Sequence, residues 1–189
     1  RSGTTARSRP RRAWRSIHTS LDVKLPRLCQ ANTPLTDTLP HTGAVVGGEE
    51  EERVQRLFAL LKRTLDRRRQ QFADAGAFTL SDYVAATGQT VPRIVVLLDG
   101  YAGFASAFER VNLGELVDLL PRIVADGRPL GAHFAITADR RGAVPNALAG
   151  IITTKIVLRM ADEDEFAALG VPPKAVRGAQ FPPGRGFLP

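Results

Sequence analysis

Asp99 is the residue of this chain best placed to do chemistry. It closes the run Pro92-Arg93-Ile94-Val95-Val96-Leu97-Leu98-Asp99, whose five apolar residues read as a strand buried on both faces of a parallel sheet. Open α/β sheets bind ligands at the carboxyl ends of their strands, and this strand ends on an acid. A second run, Gly131-Ala132-His133-Phe134-Ala135-Ile136-Thr137, stops at Ala138-Asp139-Arg140-Arg141, which puts Asp139 beyond another strand end. A third, Lys155-Ile156-Val157-Leu158-Arg159-Met160, runs into the acidic turn Asp162-Glu163-Asp164-Glu165. His133 falls inside a strand and reads as a hydrogen-bonded core histidine. His18 and His41 have no ligand spacing, and the single cysteine, Cys29, excludes an internal disulfide and a cysteine-based metal site. There is no Gly-x-Ser-x-Gly elbow, no His-Glu-x-x-His and no Gly-x-Gly-x-x-Gly after a strand.

Helical patterns separate these runs. Gly43-Ala44-Val45-Val46 reads as a short buried strand ended by Gly47-Gly48. Four glutamates at 49–52 suit the positive end of a helix dipole. Val54, Leu57, Phe58, Leu61, Leu65 and Phe72 then form one apolar face of a helix ending near Asp74-Ala75-Gly76. Lys62-Arg63 and Arg67-Arg68-Arg69 are expected largely on its solvated flanks, with a DNA-contacting patch as the alternative. Thr79-Leu80-Ser81-Asp82 should cap a short helix that Gly88 closes. Phe104 to Arg110, Leu113 to Ala125 and Val144 to Gly150 complete the helices, with Gly127 as a stop. Strands alternating with helices predict an α/β domain with a mainly parallel sheet.

Charge divides the chain in two. Residues 1–27 carry eight basic residues against Asp22, 8 − 1 = +7, and the remaining 18 basic and 18 acidic residues cancel. The pI of about 10.5 therefore describes the leader. Residues 1–38, broken by Pro10, Pro26 and Pro34, are expected to be an irregular, disordered basic leader, and residues 39–189 the folded core. A basic arm could also hold nucleic acid through its phosphates. No stretch approaches the roughly 18 apolar residues of a membrane span, so no membrane contact is expected and a cytoplasmic setting is the default. The chain begins at Arg1 and its only methionine is Met160, which reads as a fragment of a longer protein.

Five landmarks in order resemble the FtsK/SpoIIIE family of P-loop motor ATPases, which includes DNA translocases and the ATPases of type VII secretion. They are Leu39-Pro40-His41-Thr42, the Pro92–Asp99 run, Asp126-Gly127-Arg128-Pro129-Leu130-Gly131-Ala132-His133, Leu158-Arg159 and Pro183-Gly184-Arg185-Gly186. The resemblance implies a three-layer, RecA-like P-loop NTPase domain. It implies ATP and Mg²⁺ as cofactors and, as partners, other ATPase domains or subunits of a hexameric ring. DNA or a secreted polypeptide is the implied cargo, and the parent protein could be membrane-anchored.

The same resemblance assigns roles and exposes departures. Asp99 takes the Walker B-like position that orients Mg²⁺, but the glutamate expected next is Gly100; losing such a general base costs about 10²–10⁴-fold in hydrolysis. A structural role for Asp99, capping the following turn, is the alternative. Asp139 stands at a sensor position usually held by glutamine, where an acid would repel a γ-phosphate. Arg128 matches an arginine that rings can direct in trans at a neighbour's nucleotide, and Arg140, Arg159 and Arg185 are weaker candidates. No Gly-x-x-x-x-Gly-Lys-Ser/Thr occurs in the chain. Its nearest echo, Gly3-Thr4-Thr5-Ala6-Arg7-Ser8-Arg9-Pro10, would use Gly3, Thr4, Thr5 and Arg9, with Arg9 for the lysine and Pro10 for the magnesium-binding hydroxyl. The domain is therefore expected to lack its P-loop strand–helix unit and to be the distal part of an ATPase core. Whether it is an enzyme stays open: an ATP-driven translocase domain on one reading, a non-catalytic interaction module on the other.

Overall fold

The computed structural model describes residues 42–178, 182 and 184–189, together with the backbone of residues 21–24. Four parallel strands form one sheet in the order β2-β1-β3-β4: β1 Leu21–Lys24, β2 Ala44–Gly47, β3 Ile94–Leu98 and β4 Ala132–Ile136. β3 and β4 pair along their whole lengths, from Ile94 opposite Ala132 to Leu98 opposite Ile136. Asp99 and Thr137 are thereby delivered side by side. β1 lies between β2 and β3, with Asp22 opposite Val45 on one side and Leu97 on the other.

That strand falls inside the stretch read as irregular leader. Only four residues long, it offers too short a run for periodicity to register, and its neighbours in the sheet supply the pairing that its own sequence does not advertise.

Helix α1 (Glu51–Asp74) buries the six apolar residues that its spacing picks out. Glu50 precedes it and accepts the Gly47 N–H at 2.8 Å while pairing with Arg53. That backbone donor, then Arg53, lowers the Glu50 pKa. Most of the basic flank is solvated as expected: Lys62 and Arg69 both pair with Asp66, and Arg69 also reaches Asp126 at 2.8 Å. Arg68 departs from that pattern and turns inward, only 6% exposed. Helix α2 (Leu80–Thr87) has the capping box Thr79–Asp82 and a left-handed Gly88 at its end. Its Tyr83 stacks on Phe72 of α1 at 4.7 Å between ring centroids.

Helix α3 (Tyr101–Phe108) starts three residues earlier than the sequence pattern suggests, because left-handed Gly100 turns the chain directly out of β3. Its Phe104 and Phe108 are fully buried, and Phe104 stacks on Phe58 of α1. Helix α4 (Glu115–Gly127) buries Leu116, Leu120 and Ile123. After the short helix α5 (Asn146–Ala149), the third apolar run does not enter the sheet. Val157 alone forms an antiparallel bridge with Phe187, while Ile156 and Leu158 are 68% and 54% exposed. Alternation around one buried residue seats the run on a second, smaller core. Val157 packs there with Phe166 of α6 (Glu163–Ala168), Val171, and Val176 of α7 (Pro173–Val176).

Candidate nucleotide-edge site

The parallel register of β3 and β4 brings together two polar residues that the sequence separates by 38 positions. The Thr137 hydroxyl donates to Asp99 Oδ1 at 2.6 Å and accepts the Gly100 N–H at 2.7 Å. The backbone repeats the lock, with Thr137 N–H on Leu98 O at 2.9 Å and Tyr101 N–H on Thr137 O at 2.8 Å. Asp99 thus does not cap the turn that follows it, since α3 has no side-chain cap. One carboxylate oxygen is spent on Thr137. The other, Oδ2, has no hydrogen-bond partner among the described residues, in a residue that stands at the edge where such sheets bind ligands.

Gly100 has φ 79° and ψ 71°. Left-handed backbone of this kind strains any residue with a Cβ, so a glutamate could not be restored here without cost. Tyr101, next along, is buried, and burial pushes its phenol pKa up.

Asp139 lies beyond the same edge, exposed and without an ion pair among the described residues, as does Arg140. Arg128 is on the other side of the molecule. It precedes β4, whereas Asp99 follows β3, and a five-residue strand spans about 17 Å. Arg128 and Asp99 of one chain therefore cannot serve the same phosphate. Arg159 and Arg185 belong to the segment around the second core. Gly3, Thr4, Thr5 and Arg9 lie outside the described residues.

His133 is half-buried in β4, and Arg93 Nη1 lies 3.2 Å from its Nε2. Because guanidinium only donates, Nε2 accepts and His133 is the neutral Nδ1–H tautomer. Burial first, then Arg93 and Arg128, push its pKa below 6.5. Sequence reasoning missed two residues: Thr137, which follows from extending the β3–β4 pairing by one step, and buried Arg68, whose position in an arginine triplet hides it.

Tested against Mg²⁺-ATP, the donors are incomplete. Asp99 offers one oxygen and Asp139 a second acid, but the described residues contribute no lysine–hydroxyl pair at this edge, and the Gly47-Gly48 turn from β2 into α1 carries glutamates in place of a lysine. No cluster of His, Cys, Asp and Glu able to hold a metal occurs among them, and no helix among them is long and apolar enough to cross a membrane.

The chain is 26% identical over 151 residues to the ESX secretion system protein EccC of Geobacillus thermodenitrificans, covering 79% of this chain and 10% of that protein. It is 26% identical over 136 residues to the ESX secretion system protein YukB of Bacillus subtilis, covering 72% and 9%. It spans about a tenth of the length of these relatives. ATPases 2 and 3 of Thermomonospora curvata EccC, solved in complex with a signal sequence peptide, superpose with a TM-score of 0.73 at 22% identity, covering 90% of this chain and 30% of theirs. This likeness is one of fold, the α/β parallel-sheet fold of P-loop ATPase domains. The FtsK/SpoIIIE family model matches residues 31–185, most of the chain, taking in the four landmarks from Leu39 to Arg159 and reaching Arg185 of the fifth, and to that family the chain belongs.

Proposed function

We propose that this chain is a FtsK/SpoIIIE-family ATPase domain of an ATP-driven translocase in which ATP binding and hydrolysis are impaired. Its work within the parent assembly is then contact with active ATPase domains. The observation that supports this is the Asp99–Thr137–Gly100 lock: an acid closes β3 at the position read as Walker B-like, and the residue after it, where that reading expects a glutamate, is a left-handed glycine.

Kinship with secretion ATPases favours a secreted polypeptide over DNA as the cargo of the whole machine. The neutral charge of residues 28–189 supports the same choice, because DNA binding rests on phosphate neutralisation by excess cations. The cytoplasmic face of a membrane-anchored protein is the matching location. In a ring, Arg128 would face a neighbour, because its own Asp99 stands at the opposite edge. The non-catalytic module is the reading that Gly100 and the missing Gly-x-x-x-x-Gly-Lys-Ser/Thr favour for this chain, and the motor is the reading for its parent.

Calorimetry with Mg²⁺-ATP, run beside Asp99→Ala, tests the proposal. The expected result is that any heat is the same in both proteins. Micromolar binding that the substitution abolishes would mean an intact nucleotide site and would overturn the impairment.

A further inference from the structure

The end of the sheet opposite Asp99 concentrates positive charge around a concavity. A cavity of about 360 Å³ opens between the start of α2 and the strand beginnings, lined by Thr79, Ser81, Arg93, Arg128 and Gly131. Arg93 contacts His133, and Arg128 is near enough to influence the same imidazole. Behind the cavity wall lies the buried guanidinium of Arg68. Its Nη1 is 3.4 Å from the point a Cβ on Gly131 would occupy. Carbonyl oxygens of Leu130 and Pro92 accept from it, at 2.8 and 2.6 Å, and no carboxylate does.

Neither nearby acid pairs with Arg93 or Arg128, although Asp82 keeps its negative charge at the start of α2. Asp82 accepts the Thr79 N–H at 3.0 Å, and Asp126 pairs with Arg69. Neither Arg93 nor Arg128 has a carboxylate partner among the described residues. Two guanidiniums thus line one cavity without a carboxylate paired to either, an arrangement that an entering anion relieves.

Further donors border the cavity. Within the first turn of α2, Leu80 N–H is taken by Pro129 O and Asp82 N–H by the Thr79 hydroxyl. The Ser81 N–H and hydroxyl have no partner among the described residues, at the positive end of the helix dipole. Gly131 keeps the wall open, since a Cβ there would stand 2.7 Å from Leu80 Cδ2 on a backbone with φ +81°. Two forked guanidiniums, a hydroxyl and an N–H outnumber what the two oxygens of a carboxylate can use. They match the three or four oxygens of a phosphate.

We propose that this cavity is a phosphate-binding site, with Arg93, Arg128 and Ser81 as its ligands and His133 positioning Arg93. It goes beyond the proposed function, because it uses nothing at the Asp99 edge and stands or falls without it. Free phosphate or pyrophosphate and the terminal phosphates of a nucleotide share this chemistry.

The test is calorimetry on the full chain with inorganic phosphate, pyrophosphate and ATP in EDTA, beside Arg93→Gln, Arg128→Gln, the double variant and Asp99→Ala. Saturable one-to-one binding is expected, weakened about tenfold by each single arginine substitution and unchanged by Asp99→Ala. Both arginines are exposed, so the variants should keep the parent thermal midpoint. ATP binding tighter than pyrophosphate would assign the site to a nucleotide, and equal or weaker binding to the free anion. Absence of saturable binding by all three to a folded chain would overturn the proposal. So would binding that survives in the double variant, which would then belong to the basic leader.

Discussion

At the scale of single residues, the Asp99 edge and the Arg93 edge differ in what they leave unsatisfied. Asp99 is an acceptor half-occupied by Thr137, so its remaining oxygen invites a cation or a donor. Among the described residues Arg128 and Ser81 are donors without an acceptor and Arg93 has only the His133 ring nitrogen, so they invite an anion. His133 stands with the second group and makes it sensitive to pH. Its folded-state pKa lies below its ordinary 6.5 because burial and two arginines oppose a further positive charge. Between those two values the unfolded chain binds a proton that the folded chain refuses. The contribution of His133 to stability is therefore complete above pH 6.5 and is lost as pH falls through the range below it. The thermal midpoint should drop on going from pH 7.5 to 5.5, and His133→Gln should flatten part of that drop. An identical slope in the variant would place the titration elsewhere.

At the scale of elements, Arg68 is the clasp between α1 and the strand beginnings. Its guanidinium satisfies Leu130 O just before β4 and Pro92 O just before β3, tying one helix to both strands that carry the candidate site. Arg68→Met keeps the stem and removes the donors, taking the guanidinium from one buried and one part-buried carbonyl. A loss of about 2–3 kcal/mol is expected in urea unfolding. A neutral result would mean that water replaces the guanidinium and that packing of the stem, not the clasp, holds the helix.

The same helix shows how far sequence pattern reaches. Six apolar positions at helical spacing predict its buried face, because a period of 3.6 over 24 residues is a strong signal. The Thr79–Asp82 box and Gly88 likewise mark both ends of α2, since capping is local chemistry. Arg68 escapes because its partners are backbone atoms 24 and 62 residues away, and backbone carbonyls leave no trace in residue types. The segment 155–160 misleads for a related reason: alternation around Val157 fits a sheet strand as well as a single bridge to Phe187.

At the scale of the whole molecule, the sheet is more complete than a basic, irregular leader predicts, with β1 at an interior place between β2 and β3. The candidate site was legible as far as one strand could carry it: Asp99 and the departure at Gly100 are both read from the Pro92–Gly100 stretch. Thr137 needed the register of a second strand, and the distance between Arg128 and Asp99 needed the strand directions. Those directions split the chain into two chemically opposite edges, one carrying the acid Asp99 and one carrying Arg93 and Arg128, which have no carboxylate partner among the described residues.

The central claim is that the family fold persists here without its hydrolytic chemistry. Phosphate release from Mg²⁺-ATP by the purified chain, measured beside Asp99→Asn, tests it most directly. The account predicts the same rate for both proteins, at the background of buffer without protein. Multiple turnovers by the parent chain that Asp99→Asn abolishes would contradict it.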